Sequence, residues 1–320
     1  MPESVKFYLF LKNYRKEAGF SQKELAQDIC HVDTLRQFER GTKLPSRYVF
    51  DKIMCRLGIN PKYLPYDFIT VHDVFLAEKK ERLQVLLRIR TPEAIAEAEQ
   101  TLDALYHFIN QDTLLHEGLK HSTRLAIEQF ISRIWSSIHS YHKSYKQSFD
   151  AALESICLTV PHFDPDTFTA DTLLNYEELA SANLIGCYYY NLKDYAKGAE
   201  FFQKLHEIIE YGYSYGEDQG RLHIVILFNL TNCLDFLEEY EQSVAFCDLA
   251  LGLCRRYQHS FHYPLLLFNK SYCLFYLGQI DEAIALCKKS SAILWGYGRT
   301  AELAFQLEWA KTHLNVTFDF

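Results

Sequence analysis

Three stretches of the chain align with one another without gaps, and this repetition restricts the fold more than any other feature of the sequence. They are residues 194–202, 239–247 and 279–287, and a weaker copy is 144–152. Each copy has a large residue at its second position (Tyr145, Tyr195, Tyr240, Ile280) and a small one three residues later (Ser148, Gly198, Ser243, Ala283). This spacing predicts stacked helical hairpins, because a small residue lets two helices approach and a large one fills the corner between hairpins.

The sequence around the copies is also helical in pattern. Strand-like alternation is nearly absent beyond Pro61 and Pro65, so we predict an all-α chain. The copies start 50, 45 and 40 residues apart, whereas the tetratricopeptide repeat has a period of about 34 residues. They nevertheless resemble tetratricopeptide repeats. The resemblance implies a superhelix whose inner wall is formed by the first helix of each hairpin; another helical solenoid is the alternative.

The charges are divided unevenly along the chain, whose net charge is −8. Residues 1–65, called the head below, contain twelve Lys and Arg against seven Asp and Glu, a net charge of +5. Residues 66–320 contain twenty-one against thirty-four, a net charge of −13. A basic head on an acidic remainder suits a protein that offers only its head to phosphate. Chance asymmetry of a solvated surface is the alternative.

The head begins with the pattern of two short helices. Apolar residues at Phe7 and Leu11 share a helical face, which predicts a first helix over about residues 5–18 with Gly19 as its stop. Ser21 and Glu24 have the spacing of a capping box, which predicts that a second helix starts at residue 22.

A third helix follows and ends at Gly41, where a left-handed stop is expected. Leu35 and Phe38 define its buried side. The second and third helices are short and joined by a tight turn, as in a helix-turn-helix unit. In such a unit the later of the two helices, here the third helix of the head, lies in the major groove. We therefore predict DNA contacts at the residues on and around this helix that point away from the core: Gln22, Val32, Asp33, Arg36, Gln37, Arg40, Lys43 and Arg47.

The individual side chains suggest separate roles. The amide of Gln37 can pair with adenine, Arg36 suits guanine or phosphate, and Asp33 can accept from cytosine or favour the helix N-terminus. Gln22, Lys43 and Arg47 are better placed for the DNA backbone. A solvated polar face is the alternative for each of them.

The head also resembles a known family. The string 14–26, with the sequence YRKEAGFSQKELA, and the later pattern of Leu35, Phe38–Gly41 and Pro45 resemble the Xre type of helix-turn-helix domain, also called Cro/repressor-like. In that family the arginine matching Arg15 pairs with the glutamate matching Glu39. A shortened turn beginning with Ile29 and Cys30 is similar to the regulators of Gram-positive bacteria that carry tetratricopeptide repeats. His31 and the groove-facing residues depart from the usual pattern, which affects the target sequence and not the fold.

Asparagines mark a candidate ligand site in the repeats. In peptide-binding tetratricopeptide repeats, asparagines two residues before and one after the small position of the first helix hold the backbone of the ligand. Asn229, Asn232 and Asn269 match these positions, and Asn183 lies one residue out of register. Tyr189 is a candidate aromatic contact, and Arg221 and Lys270 are candidates for a peptide carboxylate. The alternative is that these residues belong to the packing and the ordinary surface of the repeats.

Several classes of function lack their motifs. The sequence contains no glycine-rich phosphate loop, nucleophile elbow or zinc-protease helix, so we predict that the chain is not an enzyme. His139 with His142 and His259 with His262 have metal-like spacings but no third ligand, so neither a metal nor a cofactor is expected. The nine cysteines form no Cys-x-x-Cys pair and are interpreted as core thiols of a cytoplasmic protein. No apolar run is long enough for a membrane span.

The combined resemblance is to the RRNPP-type peptide-pheromone receptors of Gram-positive bacteria. It implies a homodimeric, quorum-sensing transcription regulator that binds a palindromic operator on double-stranded DNA and is switched by a short signalling peptide. The predicted domains are a head at 1–65, a linker at 66–75 and a repeat domain for ligand binding and dimerisation at 76–320. Two alternatives stay open: a repeat scaffold that binds a partner protein, and a ligand-independent repressor of the phage type.

Overall fold

A computed structural model of the chain describes residues 7–43, 45, 47–59, 71–111, 121–211 and 217–320. The chain divides into two compact units, Met1–Ala126 and Ile127–Phe320. The described residues are helical apart from turns and loops, in agreement with the all-α prediction. Among these helices, none combines the length and the hydropathy that crossing a bilayer requires.

The first unit contains the head and one helical hairpin. Its helices are α1 (Phe7–Glu17), α2 (Gln22–Ala26), α3 (Val32–Glu39), α4 (Arg47–Arg56), α5 (Val71–Ile89) and α6 (Pro92–Gln111). Apolar side chains of α1 to α4, with Leu11, Leu35 and Phe50 fully buried, form one core, to which α5 adds Ala77. Of the residues predicted as a linker, 66–70 lie outside the described part, and α5 begins at residue 71.

The second unit is a series of hairpins that begins with α7, a helix that starts just before the boundary between the units. The hairpin helices are α7 (His121–Tyr141) with α8 (Tyr145–Cys157), α9 (Tyr176–Asn191) with α10 (Tyr195–Tyr211), α11 (Glu217–Phe236) with α12 (Tyr240–Arg256), and α13 (Tyr263–Tyr276) with α14 (Ile280–Gly296). Helix α15 (Thr300–Trp309) and a short π-helical turn (Ala310–Leu314) follow. Besides the contacts within hairpins, α9 contacts α11 and α11 contacts α13, so the first helices of successive hairpins are neighbours. Every second helix of a hairpin starts at the large residue of a repeat copy, as the sequence predicts.

One turn geometry joins the two helices of every hairpin in this unit. The residue two before each second helix is left-handed, with φ of 59° at Lys143, 64° at Lys193, 61° at Glu238 and 78° at Gly278. The next residue donates its N–H to a carbonyl five residues earlier, for example Asp194 to Tyr189 at 3.0 Å. This pattern is a Schellman motif, which closes one helix and turns the chain into the next.

Small residues face each other where the two helices of a hairpin cross. The small residue of each repeat copy is buried, and so is a second small residue twelve positions earlier on the first helix: Ser136, Gly186, Thr231 and Ser271. The Ser136 hydroxyl donates to the carbonyl of Ser148, and the Ser271 hydroxyl donates to that of Ala283, both at 2.7 Å. The serines therefore satisfy their own hydroxyls while they allow the backbones to approach.

Gly186 tests this close packing. A β-carbon at Gly186 would overlap the ring of Phe202 on α10, and that ring is fully buried. We expect Gly186→Ala to lower the free energy of unfolding by about 1–3 kcal/mol, the usual range for overpacking. Thermal unfolding of the full-length protein measures this effect.

Gly252→Ala is the matched control. Gly252 lies inside α12, and a β-carbon added there would have the Arg255 guanidinium as its nearest neighbour, at 4.0 Å. Alanine there removes only the helix penalty of glycine and should stabilise the protein by up to about 1 kcal/mol. If both variants unfold at the same temperature, the hypothesis that Gly186 is needed for the close approach of the two helices is wrong.

Candidate DNA-binding head and asparagine wall

The helix-turn-helix unit starts with a complete capping box. Ser21 Oγ accepts from the Glu24 amide at 3.2 Å, and the Glu24 carboxylate accepts from the Ser21 amide at 2.7 Å. These hydrogen bonds hold the pKa of Glu24 below its usual value. They stop the chain from entering a helix before Gln22, and they confirm the predicted start of α2.

His31 caps the recognition helix α3. Its Nδ1 accepts from the Asp33 amide at 3.3 Å, and the His31 backbone is extended, as an N-cap residue requires. His31, which departs from the usual pattern of the family that the head resembles, therefore provides the capping function. Gly41, with φ of 70°, follows the end of the helix as predicted.

A buried ion pair joins the first helix to the recognition helix. Arg15 Nε lies 2.5 Å from Glu39 Oε1, and Arg15 Nη2 lies 3.1 Å from Oε2. The two side chains are only 10% and 3% exposed. Arg15 also donates to the Phe20 carbonyl at 2.8 Å. Such a bidentate pair fixes both the distance and the rotation of α3 relative to α1.

Polar contacts continue from this pair to the surface. Gln22 Nε2 donates to Glu39 at 2.8 Å, and Gln22 Oε1 accepts from Arg36 Nε at 3.3 Å. Arg36 Nη1 in turn lies 2.6 Å from Asp33 Oδ1. We call these five residues the polar chain: Arg15, Glu39, Gln22, Arg36 and Asp33. Sequence reasoning assigned Gln22 to the DNA backbone and missed its bond to Glu39.

The structure brings most of the predicted DNA-contacting residues to one surface. Asp33, Arg36, Gln37 and Arg40 are exposed on α3 or at its end, and Lys43 is exposed just beyond it; we call the first four the groove face. Val32 differs, because it is partly buried and packs against the head core. Arg47 is the first residue of α4, and its side chain lies outside the described part of the chain.

The asparagines of the repeats form two bonded pairs across neighbouring first helices. Asn229 on α11 donates to Asn183 on α9 at 2.9 Å, and Asn269 on α13 donates to Asn232 on α11 at 2.7 Å. Asn269 also donates to the Thr231 hydroxyl at 3.1 Å. We call the four amides the asparagine wall. Asn183 belongs to it although it is one residue out of register with the other copies.

The charged and aromatic candidates lie elsewhere. Lys270 Nζ lies 2.8 Å from a carboxylate oxygen of Asp248 on α12, a second helix, and Arg221 pairs with Glu217 one turn earlier on α11 at 2.5 Å. Tyr189 is only 6% exposed and packs against Phe149 and Phe201. The structure therefore groups the four asparagines and does not group these three side chains with them.

The cysteines agree with their interpretation as unpaired thiols. All nine are free, and Cys233, Cys247, Cys254, Cys273 and Cys287 are buried. Burial raises the pKa of the Cys254 and Cys287 thiols to about 11. Cys55 departs from this interpretation, because it is exposed.

Comparison with known proteins supports the assignment of the head. Residues 11–64 match the helix-turn-helix family model, so the chain carries a helix-turn-helix domain at its N-terminus. No curated protein sequence matches the chain.

Solved structures share the fold of the chain. PlcR of Bacillus thuringiensis in complex with the peptide PapR7 and DNA is 17% identical, with a TM-score of 0.59 over 94% of this chain and 99% of that one. ComR from S. thermophilus in complex with DNA and its signalling peptide ComS is 16% identical, with a TM-score of 0.52 over 97% and 100%.

An enzyme also shares this fold. Aspartyl phosphate phosphatase F from Bacillus subtilis is 16% identical, with a TM-score of 0.52 over 98% of this chain and 70% of that one. The predicted architecture, a helix-turn-helix domain followed by tetratricopeptide-like repeats, is confirmed. Because DNA-bound proteins and a phosphatase are both similar in fold to this chain, the fold alone does not define the function.

The Arg15–Glu39 pair can be tested against an exposed pair of the same kind. We expect Arg15→Met to destabilise the head by about 3–5 kcal/mol, because it leaves a buried carboxylate without its partner. Arg82 forms an equally bidentate pair with Glu97, at 2.7 Å for both bonds, but these side chains are 49% and 45% exposed.

Arg82→Met should therefore change the local opening free energy much less than Arg15→Met, because solvent screens an exposed pair. Hydrogen exchange of peptides from α1, α3 and α5 in the full-length protein reports the two local opening free energies. Equal costs for the two substitutions would contradict the view that the buried pair ties α3 to α1.

Proposed function

We propose that the chain is a DNA-binding transcription regulator whose repeat domain binds a short signalling peptide, and that the peptide switches its activity. The observation that carries the proposal is the polar chain, which connects the buried Arg15–Glu39 pair to the exposed groove face of α3. A recognition helix that is rigidly oriented and polar on its outer side suits the reading of base edges.

The charge of the head supports DNA as the partner. Residues 1–65 have a net charge of +5 in a chain with a net charge of −8. Lys43 is exposed just beyond α3 and suits a phosphate contact, whereas the exposed side chain of Gln37 carries an amide suited to adenine. Asp33 neutralises part of Arg36, which leaves Gln37 and Arg40 as the main candidates for base contact.

The asparagine wall supports a peptide as the second partner. Each amide offers two donors and an oxygen with two lone pairs, so one bond within each pair leaves capacity for further bonds. Amides on neighbouring first helices can therefore bind an extended main chain whatever its side chains are. PlcR and ComR were solved in complex with both DNA and a peptide, which agrees with the two partners proposed here.

The switch follows from differential binding. A peptide that binds one arrangement of the hairpins more tightly than another shifts the population toward that arrangement. In a homodimer on a palindromic operator, such a shift changes the spacing of the two heads, and dimer spacing sets the fit to the half-sites. The direction of regulation follows from which arrangement binds DNA.

The DNA contact is tested on a duplex selected from a random pool by the full-length protein. We expect Gln37→Ala to cost about 1–3 kcal/mol on the selected duplex and to relax specificity at one base pair. Lys43→Ala should weaken binding to all duplexes and lower the slope of log affinity against log salt by about one. Fluorescence anisotropy at several salt concentrations measures both effects.

Lys311→Ala is the control for the DNA experiment, because Lys311 is an exposed lysine next to α15, far along the chain from the head. It should leave both the affinity and the salt slope unchanged. If the pool yields no enriched duplex and the protein shows no salt-sensitive binding, the proposed regulator is wrong.

The peptide contact is tested with pools of short synthetic peptides and the change in Tm of the full-length protein. A peptide at a hundred times its Kd should add about 2.7 kcal/mol to the free energy of unfolding. Asn229→Ala and Asn269→Ala should reduce that gain, because each removes amide groups that bind the peptide backbone. Asn191→Ala is the matched control, since its amide donates to the Cys187 carbonyl of its own helix.

The same experiment separates the alternatives. A repeat scaffold ignores short peptides and retains a folded partner protein. A ligand-independent repressor binds its operator with an affinity that no peptide changes. A peptide that raises Tm and leaves DNA binding unchanged removes the switch from the proposal.

A further inference from the structure

Three potential metal ligands meet between consecutive hairpins. His206 and Glu210 lie one turn apart on α10, the second helix of one hairpin, and therefore share a face of that helix. His223 lies on α11, the first helix of the next hairpin. One ligand atom from each of the three residues lies within 4.8 Å of the other two.

The two imidazoles face each other through their nitrogens. His206 Nδ1 lies 2.9 Å from His223 Nε2, and His223 Nδ1 lies 3.9 Å from a carboxylate oxygen of Glu210. Only one proton fits between the two facing nitrogens. A metal ion replaces that proton and uses both lone pairs.

The surroundings keep the imidazoles in the form that binds metal. His223 is only 3% exposed, and burial lowers its pKa to about 3. Burial also lowers the pKa of His206, against an opposing effect from Glu210. Burial of the two rings therefore disfavours their protonated form, which cannot bind a metal ion.

A second histidine pair has a similar geometry but does not belong to a set of three metal-ligating side chains. His259 Nε2 lies 2.8 Å from His262 Nδ1, almost the same spacing. Burial lowers the pKa of His262 to about 3, with smaller contributions from His259 and from the positive charge of Arg299. Within the described part of the chain, only the set of His206, Glu210 and His223 combines three metal-ligating side chains.

We propose that His206, Glu210 and His223 bind a divalent metal ion of the zinc class. Two imidazoles and one carboxylate form a donor set that zinc uses with a fourth position open to water, whereas magnesium and calcium prefer oxygen donors alone. Tetrahedral zinc with bonds of about 2.0–2.1 Å places two ligand atoms about 3.3 Å apart. The facing nitrogens, now 2.9 Å apart, need to separate only slightly.

The ion has a structural consequence for the repeats. Because its ligands come from α10 and α11, it cross-links two hairpins that otherwise meet through side-chain packing and hydrogen bonds. These hairpins also carry Asn183 and Asn229 of the asparagine wall. The bound ion therefore fixes the relative orientation of the two first helices that hold one asparagine pair.

The test uses the full-length protein after treatment with EDTA and removal of the chelator. Titration with ZnCl2 in a calorimeter should give saturable binding of one ion per chain, and Tm should rise with zinc concentration. Co2+ should give the d–d absorption of a tetrahedral site without a thiolate charge-transfer band. A strong thiolate band would place the ion on cysteines and overturn the proposal.

Two variants locate the ion. Glu210→Gln changes a half-exposed side chain and should not disturb folding, whereas the nearly buried His223 is unsuitable for a first test. Because even the supporting partners of metal ligands contribute about 10–100-fold to affinity, loss of a ligand should weaken zinc binding by more than about tenfold. His206→Ala should weaken it further.

His259→Ala is the matched control, since it breaks the other histidine pair, which lies outside the three-ligand set. It should leave zinc affinity and stoichiometry unchanged. The proposal is overturned if the wild-type protein shows no saturable binding of one ion, if Glu210→Gln binds zinc as tightly as the wild type, or if His259→Ala loses the binding.

Discussion

The close approach of the two helices in each hairpin is the constraint on which the second unit depends. Backbones come together only where both helices have small residues, such as Ser136 against Ser148 and Ser271 against Ala283. At Gly186, the ring of Phe202 fills the space that a β-carbon would occupy. Dense packing at these crossings sets the angle of each hairpin and brings the first helices beside one another.

The head relies on a different kind of interaction. A buried ion pair is weak evidence for stability, because desolvation opposes the attraction between the charges. The pair contributes more to geometry, since the two parallel hydrogen bonds that the Arg15 guanidinium donates fix the orientation of the Glu39 carboxylate. Gln22 and Arg36 then carry that order to the surface of α3. The orientation of the proposed reading surface thus follows from a pair that DNA never needs to touch.

Local signals in the sequence predicted much of the fold. The capping box at Ser21 and Glu24 and the repeat copies each specify where a helix starts, because the groups that close a helix end lie within a few residues of it. Local signals did not indicate the neighbours of Lys270 and Tyr189, which the structure places beside Asp248 of a second helix and within the core. Aromatic and charged residues occur on every face of such helices, so their type does not indicate which neighbour they meet.

The amino-acid sequence by itself determined the all-α class, the positions of the repeat copies and the place of the recognition helix, since these depend on periodicity and caps within short stretches of the chain. Only the tertiary structure decided which polar groups of the repeats meet. The bonds of Asn229 to Asn183 and of His206 to His223 join residues that are 46 and 17 positions apart. Their contact depends on the rotation of one packed helix against the next, and that rotation is set by side-chain volumes along the whole interface and not by any local motif.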